Sequence, residues 1–261
     1  MMKSFGYELE EEFNAVTHFV EEKYGIVIKS KEQLVDFTQN ALIFMMSIKI
    51  WQKHLFFDSD SKTEMHFQEM YFQEMLSNAI HIILLGNIDM KIPALIMLRR
   101  TQELILTYLY YSEHPVELFK KEMDDNLRTV SGFNELKDYI KNYPFSMKYN
   151  VSDTSVQEVV SCVIDDWARQ YKELSNFVHG TNSNFFQKAE YVDEFKFVKK
   201  DVNFLTRQMK KLSSIVNTLL IIFYFQEYVH FDENTEKSLI RNAISNDFEY
   251  KKKVVDVLKE I

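Results

Sequence analysis

Residues that interrupt a helix are scarce in this chain: 5 glycines and 3 prolines are spread over 261 residues. A sheet protein needs frequent turns, and turns draw on glycine and proline for backbone angles that other residues adopt poorly. So few breakers favour long helices, and Leu, Ile, Met, Lys and Glu fill the stretches between them. The fold class read from this pattern is all-α: a single helical bundle of about eight to ten helices, several of them long and antiparallel. One domain over residues 1–261 is expected, with a soft boundary near 143–153 in the irregular stretch "YPFSMKYNVSDTS".

Periodicity places the helices. Leu9, Phe13, Val16, Phe19 and Val20 recur at three- and four-residue spacings, which predicts a helix from about Tyr7 to Tyr24 closed by Gly25. Ser30 with Gln33 reads as a capping box that opens a helix to about Phe57, with an apolar middle, "ALIFMMSIKIW". The polar stretch "DSDSKTE" precedes a third helix from about Thr63 to Leu85, ended by "GNID". A fourth runs from about Ile92 to Ser112, with Pro93 in its first turn, and shorter helices follow over about 116–126 and 133–141. Val160, Val163, Ile164, Trp167, Tyr171, Leu174 and Val178 keep one face of a long helix from Thr154 to His179. Another is expected from about Lys188 to Val229, then two terminal helices within 231–244 and 247–261.

Composition excludes several classes. The single cysteine, Cys162, rules out an intrachain disulfide and a cysteine-based zinc site, and reads as a small core residue in a reducing compartment. The opening "MMKSFGYELEEEF" lacks a basic leader followed by an apolar run, so a cytoplasmic location is expected. The longest apolar run, Ile215 to Phe225, is about half of the ~20 residues a membrane span requires, and reads as a core helix. No H-E-x-x-H, no paired Glu-x-x-His and no glycine-rich phosphate loop occurs, so neither a metal nor a cofactor is expected. With a net charge of -8, any contact with a polyanion must come from a local patch.

Two stretches could carry chemistry. In "YKELSNFVHG" (171–180), Leu174, Ser175 and Val178 lie within about 60° of Tyr171 around the helix, and His179 lies about 80° away on the border of core and solvent. Ser175 is its i−4 neighbour, and Gly180 suits the left-handed position after a helix end. His179 is thus either a C-terminal cap or a functional histidine. In "LIMLRRTQELIL", Arg99 and Arg100 can each pair locally with Glu103, yet aliphatic neighbours on several faces predict partial burial of a guanidinium. A buried guanidinium needs a partner beyond Glu103. It is either a structural clamp or an anion-binding group.

Together, the arginine helix ending in "YYSEHPVEL" and the later "YKELSNFVHG" resemble a group of bacterial helical proteins often encoded beside phage-defence genes, with the signature Y-x-x-L-S-x-x-V-H-G. That group is distantly similar to the HEPN superfamily, which includes ribonuclease toxins and abortive-infection effectors that act as dimers. The matching positions are Arg100, Glu103, His114, Pro115, Tyr171, Leu174, Ser175, His179 and Gly180, spread over about a third of the chain. The resemblance implies a role in antiviral defence or abortive infection, a homodimer, and two alternative uses of these residues. In one, Glu103, His114, Tyr171 and Ser175 join His179 and the Arg99/Arg100 helix as a polar lock or ligand pocket of an interaction or ligand-sensing module. In the other, His179 is the general acid/base of a divergent HEPN-like ribonuclease and Arg99 or Arg100 stabilises the phosphate. The R-x(4-6)-H element of HEPN ribonucleases is absent, since no arginine has a histidine five to seven residues downstream. Arg169 precedes His179 by ten residues, about 15 Å along a helix, so only a tertiary pairing could rebuild the constellation.

A basic stripe completes the inventory. Lys196, Lys199, Lys200, Arg207, Lys210 and Lys211 fall within about 120° on a helical wheel, joined by Asn203 and Ser214, with no interleaved acid. The stripe reads as a solvated face, as a contact for phosphate or RNA, or as a contact for an acidic protein partner.

Overall fold

The computed structural model describes residues 5–56, 63–124, 132–149, 153–180, 183, 197–248 and 250–260. Among them are twelve α-helices, one 3₁₀ turn and no strand, so the bundle is all-α. The helices are α1 (Phe5–Tyr24), α2 (Glu32–Phe56), α3 (Thr63–Asn87), α4 (Lys91–Glu113), α5 (Pro115–Met123), α6 (Phe133–Lys141), α7 (Phe145–Lys148), α8 (Asp153–Val178), α9 (Lys199–Phe223), α10 (Phe225–Val229), α11 (Glu236–Ala243) and α12 (Tyr250–Glu260). The expected number is exceeded by short elements, α7 and α10 chief among them. The "DSDSKTE" stretch up to Lys62, the start of the helix foreseen from Lys188, and Lys196 itself lie outside the described residues.

Long helices carry the core. The α2 helix packs on α3 and α9, α4 on α3, α8 and α9, and α8 on α9. Apolar side chains from all five form one buried cluster, with Trp51, Trp167, Tyr108, Phe37, Phe44 and Phe72 among its largest fully buried members. Each such burial contributes ~1.5–3 kcal/mol. The cluster continues through Tyr143, Phe145 and Tyr149 across the stretch proposed as a boundary. There the Tyr149 hydroxyl lies 2.8 Å and 3.0 Å from the carbonyls of Ile222 and Phe223, and it accepts the N–H of Phe225 at 3.2 Å. One phenol thus satisfies backbone groups on both sides of the break at Tyr224 that divides the long helix expected here.

Two punctuation marks act differently from the sequence reading. Ser30 does not cap α2; its hydroxyl donates to the Val27 carbonyl at 2.7 Å and closes the 3₁₀ turn. Gly86 does not stop α3, which runs on to Asn87. A methyl group at Gly86 would overlap the Phe37 ring, so glycine is there for close approach, and the turn comes at Asp89 with φ 61°. Gly25 and Gly180, by contrast, take the left-handed angles (φ 65° and 54°) that end α1 and α8. No helix among the described residues is long and apolar enough to cross a membrane.

Candidate functional site

Side-chain pairings fix how α4 and α8 lie. Gln102 meets Trp167 and Gln170, while Arg99 and Glu103 meet Tyr171, so the two helices run antiparallel with the start of α4 beside the end of α8. This apposition joins Arg99 to His179 across 80 residues of sequence, with Nη1 3.0 Å from the imidazole Nε2. Arg99 also donates from Nη2 to the Tyr171 hydroxyl at 2.7 Å, and its Nε stands 3.2 Å from Glu103 Oε1. That Nε is buried and makes no well-aligned hydrogen bond. Tyr171 in turn donates to Glu103 Oε1 at 3.1 Å. The guanidinium is therefore held from one side, at 17% exposure, while His179 stands exposed at the turn after α8.

Rigid neighbours support these groups. The Tyr171 ring stacks on Trp167 at 4.8 Å and 11°, and Arg99 lies 4.7 Å from its centroid. Burial pushes the Tyr171 hydroxyl above the ordinary phenol range, Arg99 opposes the shift and Glu103 reinforces it, so the phenol stays protonated and able to donate. Beneath runs a buried chain of amides. Trp167 Nε1 donates to the Gln102 carbonyl at 2.8 Å, and Gln102 Nε2 donates back to the Trp167 carbonyl at 2.7 Å. Gln170 Nε2 reaches the Gln208 carbonyl at 2.8 Å, and Gln208 Nε2 reaches Glu173 at 2.8 Å. Gln102, Gln170 and Gln208 thereby pin α4, α8 and α9 together. Their sequence signal was a glutamine set among apolar helix positions.

The other candidates go elsewhere. Arg100 turns to Glu74 on α3 at 2.8 Å and takes no part in the cluster. His114 sits beyond the far end of α4, its Nδ1 2.8 Å from the Tyr110 carbonyl and its ring stacked on Tyr110 at 4.2 Å, and it serves as a helix-end residue there. Ser175 bonds back to the Tyr171 carbonyl at 2.7 Å, so it is not joined to His179 through its hydroxyl. Cys162 is half-buried, with its sulfur 3.9 Å from Lys253 Nζ.

The basic stripe is corrected more sharply. Asp201 lies outside its arc on the wheel and bonds Lys91 of α4 at 2.8 Å, but neighbouring helices bring acids to the stripe itself. Arg207 meets Glu173 of α8 at 3.5 Å, Lys210 meets Asp36 of α2 at 3.4 Å, and Lys211 meets Asp166 of α8 at 3.8 Å. Lys199 and Lys200 alone stay exposed without an acid among the described residues. Close by, Asp89 in the α3–α4 turn is pushed up to about 6 by burial and by Asp201, against the pull of Lys91, Lys31 and the Val198 N–H.

A second ionic cluster was invisible in the sequence. Glu236 at the start of α11 is 5% exposed and accepts from Lys53 Nζ at 2.9 Å and from the Asp232 N–H at 3.0 Å, with His54 Nε2 at 2.8 Å. Burial acts to raise its carboxyl, but the hydrogen bonds from Lys53, the Asp232 N–H and His54 together outweigh burial and hold it below the usual range. No group of three or more potential metal ligands occurs among the described residues. No protein-family model, curated protein or solved structure matches this chain in comparisons with known proteins.

Proposed function

We propose that the chain is a ligand-sensing module whose ligand is an anion of the phosphate class, received by Arg99 and His179 at the solvent end of the α4–α8 seam. The observation that carries this reading is the 3.0 Å approach of a guanidinium to an imidazole nitrogen. Arg99 can only donate, so His179 must accept through an unprotonated Nε2. An anion offers both groups a better partner: it accepts the Nη1 hydrogen bond directly, and the imidazole in its Nε2–H tautomer donates a second one. Because Tyr171 and Glu103 already hold the guanidinium, little side-chain freedom is lost when the anion arrives. Drawing His179 off Arg99 acts on the end of α8, which is how occupancy is passed on. The likeness to defence-associated helical proteins makes antiviral defence the setting for such a sensor, with a dimer as its assembly.

The test is calorimetric titration with inorganic phosphate in low salt. Wild-type protein should bind, and Arg99→Met and His179→Ala should each lose binding while still folded. Absence of binding by the wild type, or equal binding by both variants, overturns the reading.

The same pairing also favours a second reading, a divergent HEPN-like ribonuclease with His179 as general acid/base and Arg99 on the phosphate. A tertiary Arg–His pair supplies what the missing linear element would have brought. It ranks second because phosphodiester cleavage calls for two proton transfers, and Glu103 is already engaged by Arg99 and Tyr171. Incubation with RNA separates the two: cleavage by the wild type that disappears in His179→Ala at unchanged melting temperature supports the nuclease, and intact RNA rejects it.

A further inference from the structure

The stripe cations that the site above leaves unused share one property. Arg207, Lys210 and Lys211 each sit 3.4–3.8 Å from a carboxylate. By contrast, Lys91–Asp201 and Arg100–Glu74 close to 2.8 Å and Lys53–Glu236 to 2.9 Å. Charge-assisted hydrogen bonds are ~2.7–2.9 Å long, so Arg207 and Lys210 hold their carboxylates by long bonds and Lys211 stands at ion-pair distance only, contacts that a closer anion can displace. All three face one open recess of about 490 Å³ between α9 and the segment joining α11 to α12. Clefts that hold small organic ligands run ~300–1,000 Å³.

The rest of the lining is equally specific. Half-buried Phe248 stands on the wall opposite the cations, and Asn203, whose amide has no side-chain partner among the described residues, lies on the α9 side. Two carboxylates, Asp36 and Asp247, line the recess with the three cations, and Glu173 and Asp166 stand beside Arg207 and Lys211. Lys199 and Lys200 in the adjoining hollow, which shares Asn203 and Arg207, supply the cationic excess. A cationic floor beside an aromatic wall and a free amide matches a ligand with a phosphate at one end and a flat, hydrogen-bonding ring at the other.

We propose that this recess binds a ribonucleoside monophosphate, with its phosphate on Arg207, Lys210 and Lys211 and its base against Phe248. The site is separate from the Arg99–His179 pair, and the proposal stands whether or not that pair binds phosphate. One nucleotide fills the recess, and the polar amide of Asn203 gives the base edge a donor and an acceptor.

Calorimetry with the full chain tests it. The probes are the four ribonucleoside 5′-monophosphates, with ribose 5-phosphate and the parent nucleosides as fragments lacking the base or the phosphate. At least one monophosphate should bind about tenfold or more tighter than either of its fragments, as base stacking on an aromatic side chain implies. Arg207→Ala should weaken that binding and flatten its salt dependence. Phe248→Leu should reduce it to the level of ribose 5-phosphate, while Phe248→Tyr, which keeps a ring and guards against a folding artefact, should retain it. His179→Ala should leave it unchanged. The proposal is overturned if no monophosphate exceeds its fragments, or if binding survives Arg207→Ala and Phe248→Leu but is lost in His179→Ala.

Discussion

Two ionic clusters, each including a histidine, tie distant parts of this bundle together, and they are finished to different degrees. At Glu236 the carboxylate is almost fully buried and is met by an ammonium, an imidazole and a backbone N–H. At Arg99 the guanidinium is anchored on its inner side, its Nε lacks a well-aligned acceptor, and its outermost contact is an exposed imidazole. A saturated cluster holds helices; an unsaturated one facing water retains capacity for something else. That contrast is the reason for reading α2–α11 as architecture and α4–α8 as a site.

The contrast breaks most visibly under substitution. Glu236→Ala strands Lys53 and His54 and undocks the start of α11, so urea unfolding should register a loss of about 3 kcal/mol with phosphate binding intact. Folded-state lowering of the Glu236 carboxyl means its contribution is full above the unfolded carboxylate range and fades as pH falls through the folded value. The gap between wild type and Glu236→Gln should therefore narrow in acid. Arg99→Met should cost only about 1 kcal/mol, because the ion pair is partly solvated, yet remove phosphate binding. If it costs as much as Glu236→Ala, the clusters are alike and the functional reading of the first is lost.

Smaller effects sharpen the comparison. His179→Ala should shift stability by less than about 0.5 kcal/mol in the same unfolding experiment, since an exposed side chain is removed. Asp89→Asn is expected to stabilise by a few tenths of a kcal/mol at pH 7.5, much reduced by solvent screening. Asp89 titrates higher in the folded chain, at about 6 against 3.8, so the wild type loses stability as pH rises through that interval, and asparagine also tolerates the positive φ. Melting temperatures of the two proteins should converge at pH 4; a constant difference from pH 4 to 7.5 would leave only the backbone effect.

What the sequence made legible follows the range of each interaction. Helical periodicity is local, so α1, α4, α6 and α8 lie within one or two residues of their expected bounds, and the wheel placed Tyr171 and Leu174 inward. Gly180 as a stop was also a local inference. Which arginine would meet His179 was not local: Arg99 and Arg100 are adjacent, and only the packing of α3 against α4 hands Arg100 to Glu74. The stripe misled for the same reason, because a wheel drawn for one helix cannot display Asp36, Asp166 or Glu173 arriving from others. Gly86 carried an ambiguous signal, since a glycine that ends a helix and one that admits a Phe37 ring look the same in one dimension.

The amide chain from Gln102 through Gln170 to Gln208 has a consequence for how the bundle meets a changing environment. An amide neither gains nor loses a proton over the range in which proteins stay folded. The mutual alignment of α4, α8 and α9 is thus held by groups indifferent to acidity and little affected by salt. Its ionisable neighbours, Glu173 on Gln208 and Glu103 with His179 at the solvent end of the seam, lie at the margins. Acid and counter-ions can alter what the margins hold without loosening the frame that positions them.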